Sequence, residues 1–235
     1  RNVYGKARKV VVTFNQPGDA FDDDSMAQQL GIFESRPHDV SRVISFMLQD
    51  WPSRRHLDGE SIGVFGFSRG GYTALALAGA VPSFSASAER LCGNWWSFTT
   101  ALCRQIKRKG AHLAPQADPR IRAIVVADPL NLFDTAGLRQ VRIPVQLWAS
   151  EHGGEGVALA HVEAIRSALP QAPEYHVAKG AGHFVYLAPC PAALKASAPR
   201  ICEDPQGVDR SAWHQTMDAA ITRFFQKNLP SGVRP

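Results

Sequence analysis

The stretch Gly63 to Gly79, GVFGFSRGGYTALALAG, constrains this chain more than any other. Ile62–Phe67 reads as a short, fully apolar buried strand, and Tyr72–Ala80 as an Ala/Leu-rich helix. Between them Gly66-Phe67-Ser68-Arg69-Gly70 spells G-x-S-x-G. A strand that becomes a helix within so few residues forces strained backbone angles on its central residue. Glycine two places to either side leaves room for the crossing strand and helix. The Ser68 hydroxyl is therefore expected to stand out at the C-terminal edge of a sheet, as a candidate nucleophile rather than a buried turn serine.

A serine is inert near neutral pH unless a base takes its proton, so a histidine must reach it. The chain has eight. His183 lies in Gly180-Ala181-Gly182-His183-Phe184, directly after the last predicted strand, in a loop that opens on the same edge as Ser68. His38, His161, His176 and His214 fall in predicted helices or a strand, and His56, His112 and His152 in loops without that placement. His183 is the expected base. A base of this kind is oriented by a carboxylate. The order serine, acid, histidine leaves two places for it: Asp128 at the end of Ile121–Ala127, and Glu151 or Glu155 in the loop after Val145–Ala149. A carboxylate that ends an apolar strand just before a proline needs a partner, although capping its own loop is the bland alternative. Asp128 is preferred, then Glu155, then Glu151.

The rest of the chain reads as strands alternating with helices. Lys9–Phe14 is a predicted strand from its β-branched run, and Asn15–Asp24 a loop at its end. The three aspartates of that loop have no calcium-loop spacing and are expected to cap a helix or face solvent. Pro37 opens a predicted helix with Val40, Val43, Ile44, Met47 and Leu48 on one stripe, and Asp58-Gly59 turns into the strand before Ser68. From Pro82 to Pro119 the pattern dissolves into Ser-rich, Trp-rich and basic pieces. An excursion of this size at a sheet edge is usually a lid or pocket wall, so Trp95, Trp96 and Phe98 are candidates to line an apolar pocket or to pack the excursion itself. Beyond it come strands 121–127, 145–149 and 174–178, a helix over 157–169 and a closing helix over 211–228. The last shows Trp213, Met217, Ile221, Phe224 and Phe225 on one face. This alternation predicts an α/β class: a mostly parallel sheet flanked by helices, in one domain.

Composition narrows the function classes. At 235 residues the chain is long enough for one sizeable core, and no apolar run reaches membrane-spanning length. The net charge of +5 is spread out. Its one cluster, Arg104, Lys107, Arg108 and Lys109, lacks interleaved aromatics and reads as a solvated face, so no nucleic-acid partner is expected. Four cysteines form two local pairs, Cys92/Cys103 and Cys190/Cys202, without zinc-site spacing. Closed as disulfides, such short loops each contribute roughly 2–3 kcal/mol, which points to the periplasm or the cell exterior.

The pieces GFSRGG and GAGHF, in this order of strands and helices, resemble an α/β-hydrolase over nearly the whole chain. NQPGD, RPHDV, ADPLN, IPVQLWASE and GAGHF-x-x-LAPC make the finer pattern similar to bacterial predicted dienelactone hydrolases. That group neighbours the platelet-activating-factor acetylhydrolases and cutinase-like polyester hydrolases. True dienelactone hydrolases use cysteine where this chain has Ser68, so their substrate is not implied. Cutinase-like relatives keep the acid at a position matching Gly153; the acetylhydrolases keep it where this chain has Asp128. The resemblance implies an acyl-enzyme mechanism on small-molecule ester or lipid substrates without metal or organic cofactor, with the Arg69 N–H as one oxyanion donor. It also implies a His-Gly motif on a strand and loop before Val10–Phe14. Nothing upstream of residue 9 matches that motif, so an N-terminally incomplete chain with a bare sheet edge is expected. A non-catalytic binding protein on the same fold, and an acyltransferase on the same site, are the rival expectations. The acyl and alcohol groups and the oligomeric state are not written in these residues.

Overall fold

The computed structural model describes residues 9–84, 92, 101–108, 113–114 and 116–229. Four strands form one sheet: β1 (Ile62–Phe67), β2 (Ile121–Ala127), β3 (Val145–Ser150) and β4 (Glu174–Ala178). Their spatial order is β1-β2-β3-β4, and every neighbouring pair is parallel. Parallel strands of this kind need both faces covered: the β-branched run of β2 is buried apart from Arg122, and β3 is buried throughout, Gln146 and Ser150 included.

When strand order follows chain order, right-handed crossovers all fall on one face. On that face α1 (Ile32–Gln49), α2 (Arg69–Leu77) and α5 (Leu159–Ala168) share one apolar cluster with Ile124, Val126 and Leu147 of the sheet. Phe84, Cys92 and Leu102, Cys103 and Ile106 of α3 (Ala101–Lys107) join it. The short α4 (Thr135–Leu138) adds Leu138. The opposite face carries α8 (Arg210–Asn228), whose Met217, Ile221, Phe224 and Phe225 pack on Ala123, Val125 and Trp148. Two short helices, α6 (Ala192–Ser197) and α7 (Pro199–Cys202), precede α8. Disulfides join Cys92 to Cys103 and Cys190 to Cys202, with Cα atoms 5.6 Å apart in each.

Several expectations need correction. Lys9–Phe14 forms no strand: it pairs with no described strand, and Val10, Val11, Val12 and Phe14 are 40–50% exposed. A β-branched run favours a strand only where a neighbouring edge and a buried face receive it. For the same reason β1 is the outer strand and not fully buried. Among the described residues it pairs with β2 alone, and Phe65 is 44% exposed while its register partner Val125 is fully buried.

Helix α1 starts at Ile32, and Pro37 lies inside it. An interior proline removes the N–H that would bond the carbonyl four residues back, here that of Phe33. The Tyr72 hydroxyl of α2 donates to that oxygen at 3.0 Å instead, and burial pushes the phenol's pKa upward. The loop aspartates face solvent, one of the two roles expected of them, and cap no helix. Asp23 accepts from the N–H groups of Gly18 and Ser25, and Asp22 from Asn15, so they hold their own loop. Trp95, Trp96, Phe98, Lys109 and His112 lie outside the described residues, and with them most of the lid-like excursion.

Candidate active site

At the C-terminal rim of the sheet, β1 passes into α2 through Ser68, whose φ of 54° and ψ of −115° lie where non-glycine residues are rare. The turn is held from all sides. Ser68 N–H donates to Ala127 O at 3.0 Å, and Ser68 O accepts from Gly71, Tyr72 and Leu130. A Cβ on Gly66 would lie 2.1 Å from Gly70 O, so only glycine lets the strand pass under the helix start. The second glycine of G-x-S-x-G behaves differently from expectation: a Cβ on Gly70 meets nothing within 4 Å, whereas one on Gly71 would press on Pro129 at 2.7 Å. Sequence spacing identified the motif but assigned the crowding to the wrong glycine.

Arg69 is the first residue of α2, so its N–H belongs to the helix-start donors that have no intrahelical partner. Its side chain is engaged by the loop before α1. Nη1 donates to Asp19 Oδ1 at 2.7 Å and to Ala27 O, and Arg36 of α1 shares the same aspartate at 2.6 Å. The 15–24 loop is thereby tied to the start of α2.

The next strand over ends in Asp128, which is fully buried and has a φ of 39°. Its Oδ2 faces His183 Nδ1 at 3.0 Å, and both side chains are almost wholly inaccessible. A carboxylate accepts only, so Nδ1 carries the proton of this contact and Nε2 is the ring nitrogen turned away from Asp128. The His183 ring lies against Phe67, centroids 4.6 Å apart, and Phe67 is the residue before Ser68. Its backbone is clamped as well. His183 N–H donates to Gly153 O at 2.8 Å, and a Cβ on Gly154 would come within 3.0 Å of His183 Cβ. Tyr186, whose ring also lies against Phe67, is buried with no hydrogen-bond partner for its hydroxyl among the described residues, and burial drives its pKa well up.

Of the three candidate acids, Asp128 alone is brought to His183. Glu151 accepts from Gly180 N–H at 2.7 Å and from Lys179, and those donors hold its carboxyl below the usual range. Glu155 pairs with Arg200 at 2.7 Å. The other described histidines have separate occupations or are exposed. His161 Nδ1 accepts from Ala158 N–H at the start of α5, His176 stacks on Trp148, and His214 bonds Val185 O. Among the described residues no group of three or more His, Cys, Asp or Glu is placed to hold a metal ion, and no helix is long and apolar enough to cross a membrane.

Three contributors escaped the sequence reading: Ser150, the Gly153–Gly154 clamp and the Phe67 ring. Parallel register was the available signal for the first. Ala127 pairs with Trp148, which brings Asp128, one residue on, and Ser150, two residues on, to the same rim.

No protein-family model matches this chain, and no curated protein matches it.

Proposed function

We propose that this chain is a serine hydrolase of the α/β-hydrolase type that cleaves carboxylic esters through an acyl-enzyme. The observation that carries the reading is the buried Asp128–His183 pair, with the imidazole packed on the residue that precedes a backbone-strained serine. In this reading Ser68 Oγ attacks the ester carbonyl while His183 Nε2 takes its proton. Asp128 holds Nδ1–H and favours the imidazolium that forms. The Arg69 N–H donates to the oxyanion, His183 returns the proton to the leaving alcohol, and water repeats the cycle on the acyl-enzyme. The substrates are small-molecule or lipid esters. The two disulfides fit an oxidising compartment, and the periplasm or cell exterior is the proposed location.

The test is covalent. A fluorophosphonate should modify Ser68, located by peptide mass, and p-nitrophenyl butyrate should be hydrolysed. Ser68→Ala should lose the label and about 10⁴-fold or more in kcat. Folded wild-type protein that neither labels nor hydrolyses sinks the reading in favour of a binding protein. Ester formation with added alcohols at the expense of hydrolysis would reassign it as an acyltransferase.

A further inference from the structure

Asp128 is a carboxylate with no exposed surface, and one histidine cannot satisfy it alone: two oxygens offer about four acceptor sites, and an under-bonded buried charge is costly. The remaining donors come from a single residue. Ser150 N–H donates to Oδ1 at 2.7 Å, and the Ser150 hydroxyl donates to Oδ2, the same oxygen that faces His183. Ser150 is itself fully buried at the end of β3, and Asp128 N–H is fixed to Trp148 O at 2.9 Å on the same strand. The carboxyl group is thus held through both oxygens and through its own backbone by one neighbouring strand. Its plane is set with one lone pair on Nδ1.

We infer that Ser150 is a positioning residue of the proposed hydrolase, one that fixes the Asp128 carboxylate so that His183 presents Nε2 to Ser68. The inference rests on the hydrolase reading above and extends it from three side chains to four. Other charged groups do not compete for this role: Glu151 and Glu155, which follow on the same loop, are engaged by Gly180, Lys179 and Arg200. The buried Tyr186 and the half-buried Tyr175 also lie near the pair; burial above all raises the pKa of both phenols, with Glu163 adding to it at Tyr175 and the Asp128 charge at both, so they stay neutral.

The role has a signature in pH. In the active form Asp128 is charged beside a neutral imidazole; once His183 is protonated, the two charges offset. A hydroxyl donor therefore stabilises the active form more than the protonated one. Removing it raises the proton affinity of the pair and moves the acid limb of the rate profile to higher pH.

The experiment compares wild type, Ser150→Ala and Ser150→Thr by kcat and KM on p-nitrophenyl butyrate. It also follows the rate of Ser68 phosphonylation against pH. Ser150→Ala should lose about 10- to 100-fold in kcat with KM within twofold, as expected for a hydrogen bond to a charged group. Its acid limb should move up, and Ser150→Thr should restore both. In an Asp128→Asn background the Ser150→Ala change should have almost no effect, because its target is gone. An unchanged kcat and pH profile in folded Ser150→Ala overturns the inference, as does a loss that persists in full without Asp128. If Ser150→Ala does not fold, Ser150→Thr against Ser150→Val compares hydroxyl with methyl at equal volume under the same criteria. Wild-type protein inert to both reagents would defeat the hydrolase reading instead. In that event the low-field Nδ1–H resonance of His183 still decides the contact: shifted in Ser150→Ala if the hydroxyl acts on the pair, unmoved if it does not.

Discussion

The two sides of the rim are built on different terms. Asp128, Ser150 and His183 lie where the ends of β2, β3 and β4 converge, fully or nearly buried, every polar contact between them made inside the protein. Ser68 stands at the end of the outer strand β1, half-buried, and Phe65 of that strand is exposed. On the inner side, order comes from burial and neighbouring strands. On the outer side it comes from backbone geometry, with Gly66 under the turn and polar ties from α1 and α2. The comparison teaches that the buried Asp128–His183 pair is kept aligned by desolvated hydrogen bonds, whereas the more accessible Ser68 is kept aligned by its main chain.

The largest effect that would break this contrast is expected at Gly66. Gly66→Ala places a methyl 2.1 Å from Gly70 O and should cost about 3 kcal/mol or more in urea unfolding, and abolish labelling of Ser68. Gly70→Ala meets nothing within 4 Å and should change stability by less than about 1 kcal/mol, in the stabilising direction expected of alanine in a helix. Equal penalties at the two glycines would refute the account of the turn.

A smaller effect tests the polar ties. Tyr72→Phe leaves Phe33 O without the donor that replaces Pro37's missing N–H, and should lower stability by about 1–2 kcal/mol. Adding Pro37→Ala restores a backbone donor, so the double variant should be less destabilised than the sum of the two single changes. Strict additivity would show that the hydroxyl and the proline are unrelated.

The smallest effect sharpens the contrast between edge and centre, using two residues that face each other in register. Phe65→Thr on the open strand should change unfolding free energy by no more than about 1 kcal/mol, while Val125→Ala on the covered strand should cost about 2 kcal/mol. The reverse order would mean that the β1 edge is covered in solution.

Much of this architecture was legible in residue order. β2 and β4 have the bounds their apolar runs predicted, β3 is one residue longer, and α8 begins one residue early with its five expected apolar residues facing the core or its margin. Those elements are signalled locally, by periodicity and by runs long enough to bury. Lys9–Phe14 and Pro37 were misread because their outcome depends on partners. A β-branched run needs an edge to pair with, and a proline ends a helix only if nothing elsewhere serves the carbonyl it orphans. Asp128 was preferred over Glu155 and Glu151 by its place at a strand end, which the fold respects.

By itself the sequence determined the four strands of the sheet, the four longer helices, the strained serine turn and the short list of candidate acids and bases, because each of these is written in spacing, β-branching and glycine. Only the tertiary structure decided which carboxylate meets His183, that Ser150 holds it, that Gly71 rather than Gly70 is crowded, and that β1 lies at the open edge. Those outcomes depend on strand register and on contacts between residues tens of positions apart, and local propensity carries no information about either.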